Sequence, residues 1–176
     1  SCWEFSEEFQ TLIHEIKYKR KPGLARRIGE TAGEFLTPVW AEKIDLIIPV
    51  PLHPAKQRER GFNQAQYIAE GVGEALKKPV KSDLLVRTRY TTTQTKLNRS
   101  ERRENMDDAF ALHSSGEENM KNRTILIVDD VYTTGATLGS AAMVLHENGA
   151  RQTYGFTLAA APLHYVSNNR RVVNFT

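Results

Sequence analysis

Cysteine is almost missing from this chain: Cys2 stands alone in 176 residues. An internal disulfide is excluded, and so is a metal cluster built from cysteines. A reducing, cytoplasmic setting is the expectation. Long apolar runs are missing too, since no stretch approaches the roughly 18 residues of a membrane-spanning helix, and no secretory leader is legible. Internal repeats and low-complexity linkers are also lacking, so a single domain over 1–176 is expected. Charge of either sign is only slightly in excess. Lys and Arg number 24 against 21 Asp and Glu, for a formal net charge of +3 and a pI near 9.0. That balance suits phosphorylated ligands and permits nucleic-acid contact without requiring it.

The informative stretch is 124–138, reading TILIVDDVYTTGATL. Ile125, Leu126, Ile127 and Val128 form an unbroken apolar run, the pattern of a parallel strand covered on both faces. Asp129 and Asp130 end it, and a turn of small hydroxylated residues with Gly135 follows. Leu138, Ala141, Ala142 and Leu145 then recur at helical spacing. Strand, acidic edge, small-residue turn and helix present ligand contacts at the carboxyl end of a sheet.

Each part has a chemical use. Unpaired backbone N–H groups at a helix start, with the helix dipole behind them, attract anions. Thr133, Thr134 and Thr137 add hydroxyls, while Gly135 lets the backbone approach closely, so the loop through Ala136 forms a pocket for a phosphate monoester. Ionised Asp129 and Asp130 only accept hydrogen bonds and would repel a phosphate, whereas the vicinal hydroxyls of a ribose suit them. One ligand with both ends is the economical reading. The bland alternative, an Asp pair ending a strand and a Thr capping a helix, accounts for either feature alone but not for the whole string.

Across 125–137 the run resembles the phosphoribosyl pyrophosphate (PRPP) motif of type I phosphoribosyltransferases. The resemblance implies an α/β fold with a mostly parallel, twisted sheet and helices on both faces. It implies PRPP or ribose 5-phosphate as ligand, with Asp129 and Asp130 on the ribose and the loop 133–137 on the 5′-phosphate. Mg²⁺ is expected to come mainly through the ligand's phosphates, with Asp129 and Asp130 as its candidate protein contacts. In that family the turn after the first core strand contacts pyrophosphate, which carries over to Val50, Pro51, Leu52 and His53.

The remaining elements frame this site. Trp3, Phe5, Phe9, Leu12, Ile13 and Ile16 follow helical spacing, and the six cations of 17–27 read as a solvated face rather than a nucleic-acid patch. Pro22 opens a second helix with Leu24, Ala25, Ile28, Ala32, Phe35 and Leu36 inward. The first core strand is 44–50. Asn63 caps a helix with Ala65, Ile68, Ala69, Val72 and Leu76 inward. Further strands are read at 84–86, 109–112, 153–160 and 172–175. The long polar connection between the strands at 84–86 and 109–112 suggests a lid over 90–106. Its Lys96, Arg99 and Arg102 are placed to neutralise pyrophosphate, which makes them catalytic candidates beside Asp129 and Asp130.

A narrower resemblance rests on Arg60-Gly61-Phe62-Asn63-Gln64, Gln94 with Leu97, Arg102 with Asn105, and Ala109-Phe110, joined by Leu12-Ile13-His14 and Lys17-Tyr18. Together these resemble the ComF family, phosphoribosyltransferase-like proteins associated with bacterial DNA uptake. Members often carry a cysteine-rich segment before the domain, and with Cys2 alone no zinc is inferred here.

Two functions stay open. One transfers the phosphoribosyl group of PRPP to a nitrogen acceptor through an oxocarbenium-like transition state, releasing pyrophosphate. The other is a non-catalytic PRPP- or nucleotide-binding module that meets the DNA-uptake machinery or single-stranded DNA. A hood from 1–40 and parts of 155–176 would read the acceptor, and no residue there names it. Nucleic-acid contact through 17–27 and 87–103 is expected to be weak and salt-sensitive.

Overall fold

The computed structural model describes residues 3–4, 6–19, 21–88, 109–113, 120–160 and 172–175. The expected lid with Lys96, Arg99 and Arg102 lies outside them, as does 161–171 of the expected hood.

Parallel strands run in the order β1 (Trp3–Glu4), β6 (Gln152–Ala160), β5 (Thr124–Tyr132), β2 (Leu46–Pro49). The last strand, β7 (Val172–Phe175), joins β6 antiparallel. As its apolar run predicts, β5 is interior, with Leu46 beside Ile125 on one flank and Thr153 beside Ile125 on the other. β3 (Leu85–Arg87) and β4 (Phe110–Leu112) pair antiparallel in a separate two-stranded sheet.

Side chains alternate across the main sheet, as strand geometry requires. Ile47, Leu126, Val128, Phe156 and Leu158 face one core, completed by α1 (Glu7–Tyr18), α2 (Pro22–Trp40) and α4 (Gln64–Leu76). Leu46, Ile48, Ile125 and Ile127 face the other, which receives Leu138, Ala141, Ala142 and Leu145 from α5 (Ala136–Glu147) and Leu85 and Phe110 from the small sheet. Helices thus cover both faces.

Two local readings are corrected. Trp3 belongs to a strand paired with Ala159, not to the first helix, because Ser6 caps α1 by accepting from the Phe9 amide at 3.3 Å. Phe35 is 58 % exposed rather than inward. Small residues make the α2–α4 contact instead: Gly29 and Gly33 from α2 meet Ile68, Val72 and Ala75, and Gly71 of α4 meets the Arg26 carbonyl. The cationic stretch after β2 is a short helix, α3 (Pro54–Arg60), capped by His53, whose Nδ1 accepts from the Ala55 amide at 3.2 Å.

Asn63 does more than cap. Its Oδ1 accepts from the Ala65 amide at 3.1 Å and its Nδ2 donates to the Val50 carbonyl at 2.9 Å, so it ties the start of α4 to the end of β2. Asn63→Ala is expected to cost about 2 kcal/mol, from the lost cap and the lost buried bond to Val50. Denaturant unfolding checks this, and a loss within ~0.5 kcal/mol, the range of ordinary surface changes, would show that the link is idle.

Candidate functional site

The acids do not terminate their strand. β5 keeps pairing with β6 as far as Tyr132 beside Ala160. Neighbours on a regular strand point to opposite faces, yet Asp129 and Asp130 both line one cavity of about 540 Å³. The reason is local: Asp129 Oδ1 accepts from the Asp130 amide at 2.8 Å, which folds that carboxylate back along its own strand.

Of the threonine turn, Thr137 lines the cavity. Gly135 caps α5 in the left-handed region at φ 80°, and a Cβ there would lie 2.7 Å from the Tyr132 hydroxyl, so a side chain at this position is strained. The Ala136 amide donates to Thr134 Oγ1 at 3.4 Å, while Thr133 is exposed. Of the turn after β2, Val50 and Leu52 line the cavity; Pro51 is half-buried nearby in sequence, and His53 serves α3 as its cap.

The cavity also gathers residues to which the sequence assigns no role. Lys17 Nζ lies 2.5 Å from Asp130 Oδ2, and Gln64 Nε2 donates to the same oxygen at 3.3 Å. Arg60 Nη1 donates to Gln64 Oε1, and its guanidinium carbon stands 6.0 Å from the Tyr18 ring. Lys56 and Arg87 complete the cationic side. The solvated-face reading of 17–27 therefore needs revision. Lys17 is turned into the site, Lys19 and Lys21 pair with Glu15, and Arg26 pairs with Glu74. A signal existed for Lys17, which falls four residues after buried Ile13 and hence on the inward stripe of α1.

Packing sets the electrostatics. Burial pushes the Asp129 carboxyl up to about 7, and the Asp130 charge adds to this; the Asp130 amide, Lys17 and Arg87 oppose it. Burial draws Arg87 down against the pull of Asp129. Lys56 is drawn down by burial first and then by Arg87, Arg60 and Lys17.

The raised carboxyl has a consequence for stability. The folded state holds the Asp129 proton more tightly than the unfolded chain, so this group's stabilisation is complete below the ordinary 3.8 and is lost as pH rises to about 7. Asp129→Asn, which keeps an oxygen for the Asp130 amide, is expected to remove that decline and to melt higher than the parent above pH 7. Thermal melts across pH test it; parallel curves for the two proteins would refute it.

A parallel sheet with an acid pair and a threonine turn at its carboxyl end defines a phosphoribosyltransferase-type domain. Residues 59–170 match the phosphoribosyl transferase domain model, and the chain belongs to that family. Within it, the chain is similar to ComF proteins. It is 36 % identical over 117 residues to Competence protein F of Haemophilus influenzae, covering 66 % of this chain and 51 % of that protein. It is 33 % identical over 153 residues to DNA utilization protein YhgH of Escherichia coli O157:H7, covering 84 % of this chain and 65 % of that protein. The chain thus spans between half and two thirds of the length of these relatives. Glutamine PRPP amidotransferase from B. subtilis, complexed with ADP and GMP, shares the fold at a TM-score of 0.50 and 19 % identity, over 76 % of this chain and 26 % of that one. Among the described residues no helix is long and apolar enough to cross a membrane.

Proposed function

We propose that the cavity binds PRPP with Mg²⁺ and that the domain transfers its phosphoribosyl group to a nitrogen acceptor, releasing pyrophosphate. The observation that carries this reading is the convergence of Asp129, Asp130 and Thr137 on one cavity. The acids accept from the ribose hydroxyls, and Thr133, Thr134, Gly135, Ala136 and Thr137 hold the 5′-phosphate at the start of α5. Val50, Pro51, Leu52 and His53 border the pyrophosphate. The roles of Lys96, Arg99 and Arg102 as cations offsetting the leaving group rest on sequence alone.

The residues present fit Mg²⁺ in one particular way. Among the described residues no group of three or more His, Cys, Asp or Glu could hold a metal. The acid pair supplies hard carboxylate oxygens, which suits an ion that keeps several waters and is carried chiefly by phosphates. When bound, Mg²⁺ would offset the charge developing on pyrophosphate.

One observation favours a second reading, a binding module without turnover that serves DNA uptake through protein or single-stranded DNA contacts. Lys17 pairs with Asp130 at 2.5 Å, so the chain itself supplies a cation to one of the two acids. The relatives named for competence and DNA utilization agree with that role. Isothermal titration with PRPP and Mg²⁺, followed by a pyrophosphate-release screen against candidate bases, separates the readings. Binding with release supports the enzyme, and binding without release the module. No heat removes both. Submicromolar binding of single-stranded DNA persisting at physiological salt would also favour the module.

A further inference from the structure

Ribose and its 5′-phosphate account for the acids and the threonine turn but leave one wall of the cavity without a role. That wall is Lys17 and Tyr18 from the last turn of α1 and Arg60 from the last turn of α3. Tyr18 is 64 % exposed although it lines the cavity, so much of its side chain is accessible to a ligand. His14, at 4.5 Å between ring centroids, and the Arg60 guanidinium flank it. Arg60 reaches Asp130 through Gln64, and Lys17 reaches it directly. An aromatic platform and two cations are therefore connected to the carboxylate that would hold the ribose. Lys17 and Gln64 both fall on Oδ2 of Asp130, which leaves Oδ1 for a sugar hydroxyl. An ammonium has three donors and a guanidinium five, and the contacts to Asp130 and Gln64 take one from each.

We propose that this wall is the acceptor subsite and that it takes a planar heteroaromatic ring carrying negative charge. The proposal rests on the phosphoribosyl-transfer reading. The ring stacks on Tyr18, and its anionic edge meets Lys17 and Arg60 in charge-assisted hydrogen bonds. Glu59 also lines the cavity and opposes an anion, and Asp130 already balances Lys17, so the excess lies with the cavity as a whole, where Lys17, Lys56, Arg60 and Arg87 face Glu59, Asp129 and Asp130. The chemistry agrees. The C1′–O bond of PRPP breaks with its electron pair leaving on pyrophosphate, and the lone pair of a ring nitrogen forms the new C1′–N bond. The ring N–H proton passes to the departing pyrophosphate, which is basic enough to take it, and the negative charge stays on the base, so the wall meets the same charge in acceptor and product.

The test uses matched product nucleotides. Isothermal titration at neutral pH would compare ribose 5-phosphate with uridine and orotidine 5′-monophosphates and with inosine and xanthosine 5′-monophosphates. Within each pair the second member adds negative charge to the base. The anionic member is expected to bind about tenfold tighter than its neutral partner. Arg60→Gln and Lys17→Met should bring that ratio toward one, and Tyr18→Ala should weaken all four nucleotides relative to ribose 5-phosphate. Should Lys17→Met fail to fold, Arg60→Gln reads the same ratio. Equal affinities within both pairs would overturn the anionic acceptor. Nucleotides that bind no tighter than ribose 5-phosphate would overturn the subsite itself. Silence toward ribose 5-phosphate is a separate failure, because it removes the underlying reading and the proposal with it.

Discussion

Replacing Asp130 with Asn is expected to weaken ribose 5-phosphate binding about tenfold or more while the fold stays intact. Hydrogen bonds to charged groups contribute about 1.5–3 kcal/mol each, and about 1.4 kcal/mol is a factor of ten. Asn keeps the shape of the side chain and an oxygen for the Gln64 amide, so the change removes charge rather than packing. Asp129→Asn should lose affinity to a similar extent, because its carboxylate lines the same cavity. Stability tells the two variants apart. Above pH 7, Asp129→Asn is relieved of a buried charge and gains. Asp130→Asn leaves the Lys17 ammonium, on a side chain only 23 % exposed, without its carboxylate and loses. Titration calorimetry joined to thermal melts would resolve both effects. If neither variant changes affinity, the ribose does not sit on these acids.

Gly71→Ala should be the most damaging single methyl in the described structure, although it lies far from the chemistry. A Cβ there would overlap the Arg26 carbonyl oxygen and crowd the Glu30 amide, both of them backbone atoms on α2. No rotamer relieves an overlap of backbone on Cβ, so the helices must separate. Overpacking of this kind costs about 1–3 kcal/mol, or roughly 2–4 °C of melting temperature per kcal/mol in a domain of this size. Gly29→Ala meets the Ile68 carbonyl across the same contact, so the second methyl should cost less once the first has forced the helices apart. Melting temperatures of the two single variants and the double variant check this. An unchanged midpoint for Gly71→Ala would mean that the α2–α4 contact is looser than the structure shows.

The central strand, the acids and the threonine turn are legible in the sequence because consecutive residues carry them. Period, carboxylates and glycine sit in one string, and no distant partner is needed to see them. The cationic wall is of another kind. Lys17, Arg60, Gln64 and Arg87 come from four separate elements and meet only in the fold. The string Arg60-Gly61-Phe62-Asn63-Gln64 carries the family resemblance, but no local pattern says that its ends reach Tyr18 and Asp130. α3 escapes periodicity because none of its residues is buried. The two-residue β1 is too short to display alternation, and its Trp3 fits the helical spacing of the apolar residues that follow in α1. The small-residue contact between α2 and α4 inverts the usual rule, since there glycine rather than a bulky side chain marks the inward face.

The way the flanks of the main sheet are shortened or covered bears on how copies of this domain coexist in solution. An unpaired strand is a template for another chain, and natural sheets guard against it. Here β6 meets β7 along Thr153, Tyr154, Gly155 and Phe156, and β1 at Ala159 and Ala160, so two short segments share its outer side. On the opposite flank the Ile47 amide and carbonyl are taken by Pro79 and Lys81, and Pro49 lacks an amide to offer. Strand-to-strand contact is thereby confined to the two-residue β1 and four-residue β7 on one side, and on the other β2 has its Ile47 groups already taken, which leaves the carboxyl ends of β5 and β2 free to stay open around a ligand.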